Sequence, residues 1–546
     1  MPMRAEARRK EYEVAHGRFG LGQLHAALRD NSDNFLEFYG RGSMYIKKSY
    51  ADVYIDVLKT ISLFRSRHLH LGDRIGILGA NSYAYVLADL AAVMGGYVSV
   101  PFPDRPFAEQ VGSLQAQYNL KLLLADSGYL TCPEMENVIE LDNLTESIVD
   151  QPAKQQEVHV PEEEQPFMII FTSGTTGFPK GIEVRSKCVA EWISVLIDRF
   201  DFELDDKVLD FLPLSISNAR LFVYAAILLP FNLTVTVPDQ LMRVLQAAQP
   251  TILQGVPYLF ETVYGNVMRA IQTSRLRQTA YSVYHALKPM LPLGLRARLQ
   301  TRIFGQALQF WGGRMRLLVT GSAAISPKVL SLFDDMGLII YESYGINEVG
   351  LVSINSPGQN RRGSVGRPFP TKQIKIDDQG EILIRSDYSW GSSYLNETVE
   401  RSAETFKSDG YISTGDLGYV DNEGYLHIIG RIKEVIALTT GEKIHPNQVE
   451  AALKMSASVN QVAAFGDGRP FISCVVVPAA ASTTVDHIEA SIAAANKELP
   501  PALHIGGYVI AKEAFSTENG LMNATLKINR SRIHEVYRQE ITSIYK

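Results

Sequence analysis

Short apolar runs alternate along this chain with stretches whose apolar residues recur every three or four positions. Residues 74–80 (RIGILGA) have the pattern of a buried strand, residues 83–95 that of a helix, and residues 97–102 (YVSVPF) that of the next strand. This rhythm predicts an α/β protein with largely parallel sheets. The polar stretch 147–166, with Glu162, Glu163 and Glu164 in succession, is expected to be a solvated loop separating two subdomains. A second run of strands and helices extends from Phe167 to about Ile354. Over 357–430 the strands shorten and Gly and Asp turns appear (QIKIDDQGEILIRS, GYVDNEGYLHIIG), which predicts hairpins and a β-rich subdomain. From about 433 a mixed pattern begins, with helices at HPNQVEAALKM and VDHIEASIAAANKEL and strands at VNQVAAFGD and RPFISCVVV. The expected organisation is a large N-terminal domain over 1–432, built of α/β subdomains plus the β-rich one, and a small α+β domain over 433–546.

Residues 221–238 (LFVYAAILLPFNLTVTVP) carry no charge, but Pro230, Asn232, Thr234 and Thr236 divide them into a short apolar helix and a β-branched strand. A buried helix–strand unit is expected there, and no transmembrane span.

The chain has 546 residues, 46% hydrophobic and 21% charged, enough apolar surface for sizeable cores. Lys+Arg 53 against Asp+Glu 59 gives a net charge of −6, so no global basic field attracts nucleic acid and an obligate DNA or RNA binder is disfavoured. Cys132, Cys188 and Cys474 are odd in number and widely spaced, signalling neither a disulfide framework nor structural zinc. The first turns are crowded with charge (Arg4, Glu6, Arg8, Arg9, Lys10, Glu11) and show no apolar targeting stretch, so a reducing, cytoplasmic compartment is expected.

The strongest chemical signal is the loop 171–181 (FTSGTTGFPKG), directly after the apolar strand 168–170. Its three glycines and four hydroxyl side chains expose N–H and O–H donors, and Lys180 adds a point charge, which suits a polyphosphate. It is not a Walker A loop, because GxxxxGK[ST] occurs nowhere in the chain. Neither GxSxG, HExxH nor an EF-hand loop is present, and His427 and His445 are expected to be structural.

At this loop the sequence resembles the adenylate-forming superfamily, which includes acyl-CoA synthetases, fatty acyl-AMP ligases, luciferases and nonribosomal peptide adenylation domains. Four further stretches match in the family's order, from about Tyr45 to Arg530, with the long-chain fatty acyl-CoA synthetase type as the nearest pattern. The resemblance places Thr172, Ser173, Gly174, Thr175, Thr176 and Gly177 on ATP phosphates, with Lys180 catalytic. Residues 341–348 (YESYGINE) are similar to the family's aromatic-Gly-x-Thr-Glu segment. They imply purine stacking by Tyr344, with Gly345 beside it, an α-phosphate contact from Asn347 in place of the usual Thr, and Mg²⁺ held by a catalytic Glu348. Gly321, Ser322 and Ala323 match the turn lining the adenine site.

In Ser413-Thr-Gly-Asp416 the resemblance makes Asp416 the ribose clamp, and in residues 430–434 (GRIKE) it puts Arg431 near ribose and phosphate and makes Lys433 the hinge of a mobile C-terminal domain. Gly441, in TTGE (439–442), matches the loop lining the pantetheine tunnel. The C-terminal motif ENG…TLK (518–527) makes Lys527 the catalytic lysine.

The implied activity is ATP- and Mg²⁺-dependent conversion of a small-molecule carboxylic acid to acyl-AMP, with release of pyrophosphate, followed by transfer to a thiol. Coenzyme A and a carrier-protein pantetheine are both open as acceptor, and a non-catalytic ATP-binding homologue is the reading from another class. The nearest pattern implies a medium- or long-chain fatty acid. No acid occurs from Phe211 to Val237, where amino-acid-activating relatives usually place an Asp, so an α-amino acid substrate is disfavoured. Ile216, Ala219 and Ser186 depart from the family's usual His, Glu and His. Peripheral contact with a membrane stays open.

Overall fold

The computed structural model describes residues 20–546 apart from 104–106, 108–110, 131–136, 156–157, 160, 173–179, 204, 230, 322 and 524–526. Two large sheets and a smaller antiparallel one precede residue 432, and a further three-stranded sheet follows it. The first large sheet has six strands in the order Val138–Glu140, Leu120–Ala125, Arg74–Leu78, Val98–Pro101, Pro166–Phe171 and Gly181–Arg185. The first five run parallel and the last antiparallel.

This order corrects one expectation. The stretch 147–166 does not separate two subdomains, because it is a crossover within a single sheet: Met168 pairs with Ser99 on the strand before it. The reason lies in residues 167–171, all apolar and all buried, which need neighbours on both faces and find them inside an existing sheet.

The second large sheet has nine strands. Its parallel centre runs Ile340–Ile346, Leu317–Thr320, Ile252–Gly255, Lys207–Asp210, Asn232–Thr236 and Phe35–Tyr39. The uncharged segment 221–238 resolves into the end of helix Ser217–Leu228 and strand Asn232–Thr236, and among the described residues no helix is long and apolar enough to cross a membrane.

A buried polar cluster ties the sheets together. Arg220, on the Ser217–Leu228 helix, pairs with Asp89 at 2.9 Å and donates to Ser99 Oγ at 3.0 Å, and Tyr224 donates to Asp89 at 2.5 Å. Arg220 and Asp89 are only 1% and 3% exposed, so each charge depends on the other.

The hairpins expected over 357–430 form a four-stranded antiparallel sheet, Gln373–Ile376, Glu381–Arg385, Ile412–Val420 and Leu426–Arg431. Beyond Arg431, strands Val459–Phe465 and Ile472–Pro478 alternate between two small cores. Val462, Ala464, Cys474 and Val476 pack on one side with Val449, Leu453 and Ile488, while Ala463, Phe465, Val475 and Val477 pack on the other with Ile533, Tyr537 and Ile541. The period of two along each strand places helices Pro446–Lys454 and Val485–Glu498 on one face and the C-terminal helices on the other. Cys188 and Cys474 are buried and unpaired, and Cys132 lies outside the described residues.

Candidate active site

Just past the carboxyl end of strand Ile340–Ile346 in the nine-stranded sheet, the chain meets the base of the loop 171–181. The carboxyl end of such strands is the usual place for a ligand in an open α/β sheet. Strand Ile340–Ile346 carries a β-bulge between Tyr344 and Gly345. A Cβ on Gly345 would stand 2.5 Å from the Gly350 carbonyl oxygen, so only glycine allows this close approach. Just beyond the bulge, Asn347 Nδ2 donates to the Phe171 carbonyl at 2.9 Å, fastening this segment to the start of the loop. At the loop's two ends the Thr172 N–H donates to the Lys180 carbonyl at 2.9 Å. Ser173, Gly174, Thr175, Thr176 and Gly177 lie outside the described residues.

Lys180 and Glu348 are bridged by a residue that the motifs did not reveal. Lys180 Nζ stands 4.6 Å from the centre of the Tyr394 ring and 3.6 Å from Glu397, and Tyr394 Oη donates to Glu348 Oε1 at 2.6 Å. Burial, and then the Glu348 charge, push the Tyr394 hydroxyl upward, so it stays protonated and remains a donor. Glu348 is one carboxylate, and no group of three or more His, Cys, Asp and Glu able to hold a metal occurs among the described residues. Such a donor set fits Mg²⁺, which keeps waters and binds phosphate oxygens beside one or two carboxylates.

On the other side, Asp416 and Arg431 face each other across strands Ile412–Val420 and Leu426–Arg431. Arg431 Nε lies 3.1 Å from Asp416 Oδ1, and Tyr344 Oη donates to Asp416 Oδ2 at 2.7 Å. Gly415 takes a left-handed φ of +69°, and Glu381 Oε1 accepts from both the Gly415 N–H (2.8 Å) and Ser413 Oγ (2.5 Å), which holds the turn that aims Asp416. Tyr344 is buried against Val349, Val352, Ile382 and Leu426. Burial pushes the Asp416 carboxyl upward against the opposing pull of Arg431, Tyr344 and Lys527.

Lys527 reaches this cluster from the far end of the chain. Burial and then Arg431 lower its ammonium to about 8, while Asp416 and Glu434 oppose that shift. The residues around it explain the motif in structural terms. Asn519 accepts from the Ser516 and Leu521 N–H groups and donates to the Ala514 carbonyl, Gly520 takes φ +72°, and Arg530 pairs with Glu450 beneath the loop.

The remaining sequence candidates are placed less centrally. A Cβ on Gly321 would stand 2.6 Å from Ser343 Oγ, so that turn packs tightly on the neighbouring strand. Ala323 is exposed, and Ser322 lies outside the described residues. Lys433 is exposed in the single turn Ile432–Glu434, and Gly441, with φ +96°, is exposed at a hairpin turn.

The structure adds an acid that the acid-free stretch stopped one residue short of. Asp210 ends strand Lys207–Asp210, is 6% exposed, and its Oδ2 has no hydrogen-bond partner among the described residues. Leu209 pairs with Leu253, so Asp210 and Gln254 come next on adjacent parallel strands and share a face; Gln254 Oε1 is likewise buried without a partner among the described residues. Burial pushes the Asp210 carboxyl well above the ordinary range. On the same face, an apolar void of only about 20 Å³ is lined by Leu196, Phe200, Phe222, Ala225, Phe231 and Val319 among others.

Comparisons with known proteins agree with this geometry. Residues 26–394 match the family described as AMP-binding enzyme, and residues 433–546 match the AMP-binding enzyme C-terminal domain. The long-chain-fatty-acid–CoA ligase FadD15 of Mycobacterium bovis is 28% identical over 536 residues, covering 87% of this chain and 88% of that protein. Long-chain-fatty-acid–CoA ligase 1 of Cavia porcellus is 26% identical, covering 86% of this chain and 78% of that one. Among solved structures, the A domain of carboxylic acid reductase from Segniliparus rugosus, in complex with AMP and a co-purified carboxylic acid, superposes with a TM-score of 0.78 at 18% identity, covering 98% of this chain and 96% of that one. With family matches spanning both the sheets that carry the loop 171–181 and the part that carries Lys527, the chain belongs to the AMP-binding enzyme family.

Proposed function

We propose that the protein uses ATP and Mg²⁺ to convert a medium- or long-chain fatty acid to acyl-AMP and then passes the acyl group to the thiol of coenzyme A. The observation that carries this reading is that Lys527, from the C-terminal part, lies within the electrostatic reach of Asp416 and Arg431. A carboxylate attacking the α-phosphorus is a weak nucleophile, and the transition state is rich in negative charge. Positioned cations are what such a step needs.

In this reading Lys527 neutralises the carboxylate and α-phosphate oxygens as they approach. Lys180 and the loop from Thr172 to Gly177 hold the β- and γ-phosphates, and Asn347 offers an amide donor to the α-phosphate. Asp416 accepts from the ribose, exchanging a contact now made by Tyr344 or Arg431, and the turn at Gly321, Ser322 and Ala323 and the Tyr344–Gly345 bulge border the base. Magnesium, when bound to Glu348, supplies charge neutralisation at the phosphates. The part over 433–546 turns about Lys433 after pyrophosphate leaves, bringing Gly441 toward the pantetheine arm. A carrier-protein pantetheine is the alternative acceptor.

Lys527 at about 8 gives a pH expectation. Its charge is present below that value and lost as pH rises through it, so kcat/KM for ATP–pyrophosphate exchange should fall on the alkaline side with a midpoint near 8. In Lys527→Arg, whose guanidinium stays charged, that limb should disappear from the range up to about pH 10. An unchanged limb in the arginine variant assigns the titration to another group.

The acyl class is tested by exchange across acetate, hexanoate, octanoate, dodecanoate, benzoate and leucine. The acid-free stretch from Phe211 to Val237 favours the aliphatic series, with kcat/KM rising about fourfold per buried methylene until the pocket is full. Preference for leucine or benzoate contradicts the aliphatic assignment.

A further inference from the structure

The helical hairpin over 275–310 takes no part in the proposed chemistry and has a composition unlike the rest of the chain. It contains six Lys and Arg residues and no Asp or Glu, in a protein whose net charge is −6. Helix Arg275–Leu287 runs out to a short turn at Lys288–Met290, and helix Leu293–Phe310 returns. One side of each helix is seated: Tyr281 and Tyr284 pack on Phe304, and Tyr284 donates to the Asp335 carbonyl. The opposite side faces outward.

That outward side is apolar in a regular way. Leu276, Val283 and Leu287 are spaced seven and four apart, hence on one stripe of the first helix, and they are 83%, 51% and 45% exposed. The stripe is about 17 Å long at 1.5 Å per residue and ends at the tip. There Met290 and Leu293, which directly follow Pro289 and Pro292, are 83% and 80% exposed. Among the described residues only one large hydrophobic outside this hairpin, Val399 at 81%, is as open.

Exposed cations lie along the same hairpin. Arg275, Arg277, Arg298 and Arg302 are exposed, and none of them, nor half-buried Arg296, has an ion-pair partner among the described residues. Lys288 differs, since it is buried against Asp334 and Asp335 and its charge is already matched. Arg275 and Arg277 flank Leu276 at the hairpin's base, and Arg298 follows Leu293 by five positions. Exposed apolar side chains and unmatched arginines thus share one hairpin, whose complement is an apolar layer beneath a negatively charged surface.

We propose that the 275–310 hairpin docks the protein on an anionic phospholipid bilayer, with Met290 and Leu293 entering the acyl boundary and the arginines resting on headgroup phosphates. A groove would suit a partner helix, whereas this surface is a projecting tip, which favours a bilayer over an acidic protein. The inference rests on the hairpin alone and is independent of which acid is activated.

The test is co-sedimentation of the full-length protein with phosphatidylcholine vesicles with and without 30% phosphatidylglycerol. The expected result is binding to the anionic vesicles that weakens with salt. Replacing Arg298 and Arg302 together by Gln should lower the affinity about 25-fold, roughly fivefold for each. Met290→Ser with Leu293→Ser should lower it at least about tenfold, while Val399→Ser leaves it unchanged. All these positions are exposed, so octanoate-dependent pyrophosphate exchange should keep the parental rate in every variant and report an intact fold. Failure to bind anionic vesicles, equal binding to neutral ones, parental binding by the hairpin variants, or capture of an acidic carrier protein by this face in place of lipid would each overturn the proposal.

Discussion

Lys527→Ala is expected to slow adenylation by about 10²–10³-fold, the usual cost of losing one positioned group that stabilises developing charge. The expectation is specific to one half-reaction. Lys527 stands beside Asp416 and Arg431, where the acid and the α-phosphate would meet, and nothing in that placement serves the later thiol attack. Thioester formation from supplied acyl-AMP should therefore survive. Lys433→Pro should show the opposite split, because proline fixes φ near −65° and removes an N–H at the proposed pivot. Exchange would continue while thioester output falls about tenfold. Equal loss of both half-reactions in Lys527→Ala, with the fold intact, would falsify the role assigned to that lysine.

Asp89→Ala is expected to cost about 3–5 kcal/mol of stability, because it strands the Arg220 guanidinium in the core without its counter-charge. Arg220 is 1% exposed, and its neighbours Ser99 and Tyr224 supply dipoles but no negative charge. All three tryptophans, Trp192, Trp311 and Trp390, precede residue 432, so the urea midpoint read by their fluorescence reports on the sheets this cluster joins. Double replacement of Asp89 and Arg220 by apolar residues of similar size should recover most of the loss. A single variant with the parental midpoint would mean that water or another group satisfies Arg220.

Local order was legible where the physics is local. The strand at 74–78, the helix at 83–94 and the hairpins of the four-stranded sheet follow from periodicity and turn residues alone. Pairings across long separations were not. Leu36 pairs with Leu233 and Ser99 with Met168, and no pattern within a window of a dozen residues carries that information. The polar stretch 147–166 looked like a boundary because solvated loops and domain linkers share a composition.

The candidate site divides in the same way. Asn347, Asp416 and Arg431 lie in recognisable motifs, and the structure shows contacts that join them: Asn347 to the start of the phosphate loop, Arg431 to Asp416. Tyr394 and Glu397 carried no signal, because their chemistry arises only when residues 46 positions apart, Glu348 and Tyr394, are folded together. Asp210 was hidden differently. It lies one residue before the acid-free stretch, and only the parallel pairing of its strand brings it beside Gln254.

In the proposed reaction a carboxylate oxygen attacks the α-phosphorus of ATP. The measurement that reaches it most directly follows ¹⁸O from labelled dodecanoate through a reaction with MgATP and coenzyme A. One ¹⁸O is expected in the AMP released and none in inorganic phosphate or pyrophosphate. Label in inorganic phosphate, with ADP as the nucleotide product, would contradict it, since the acid would then have attacked the γ-phosphorus.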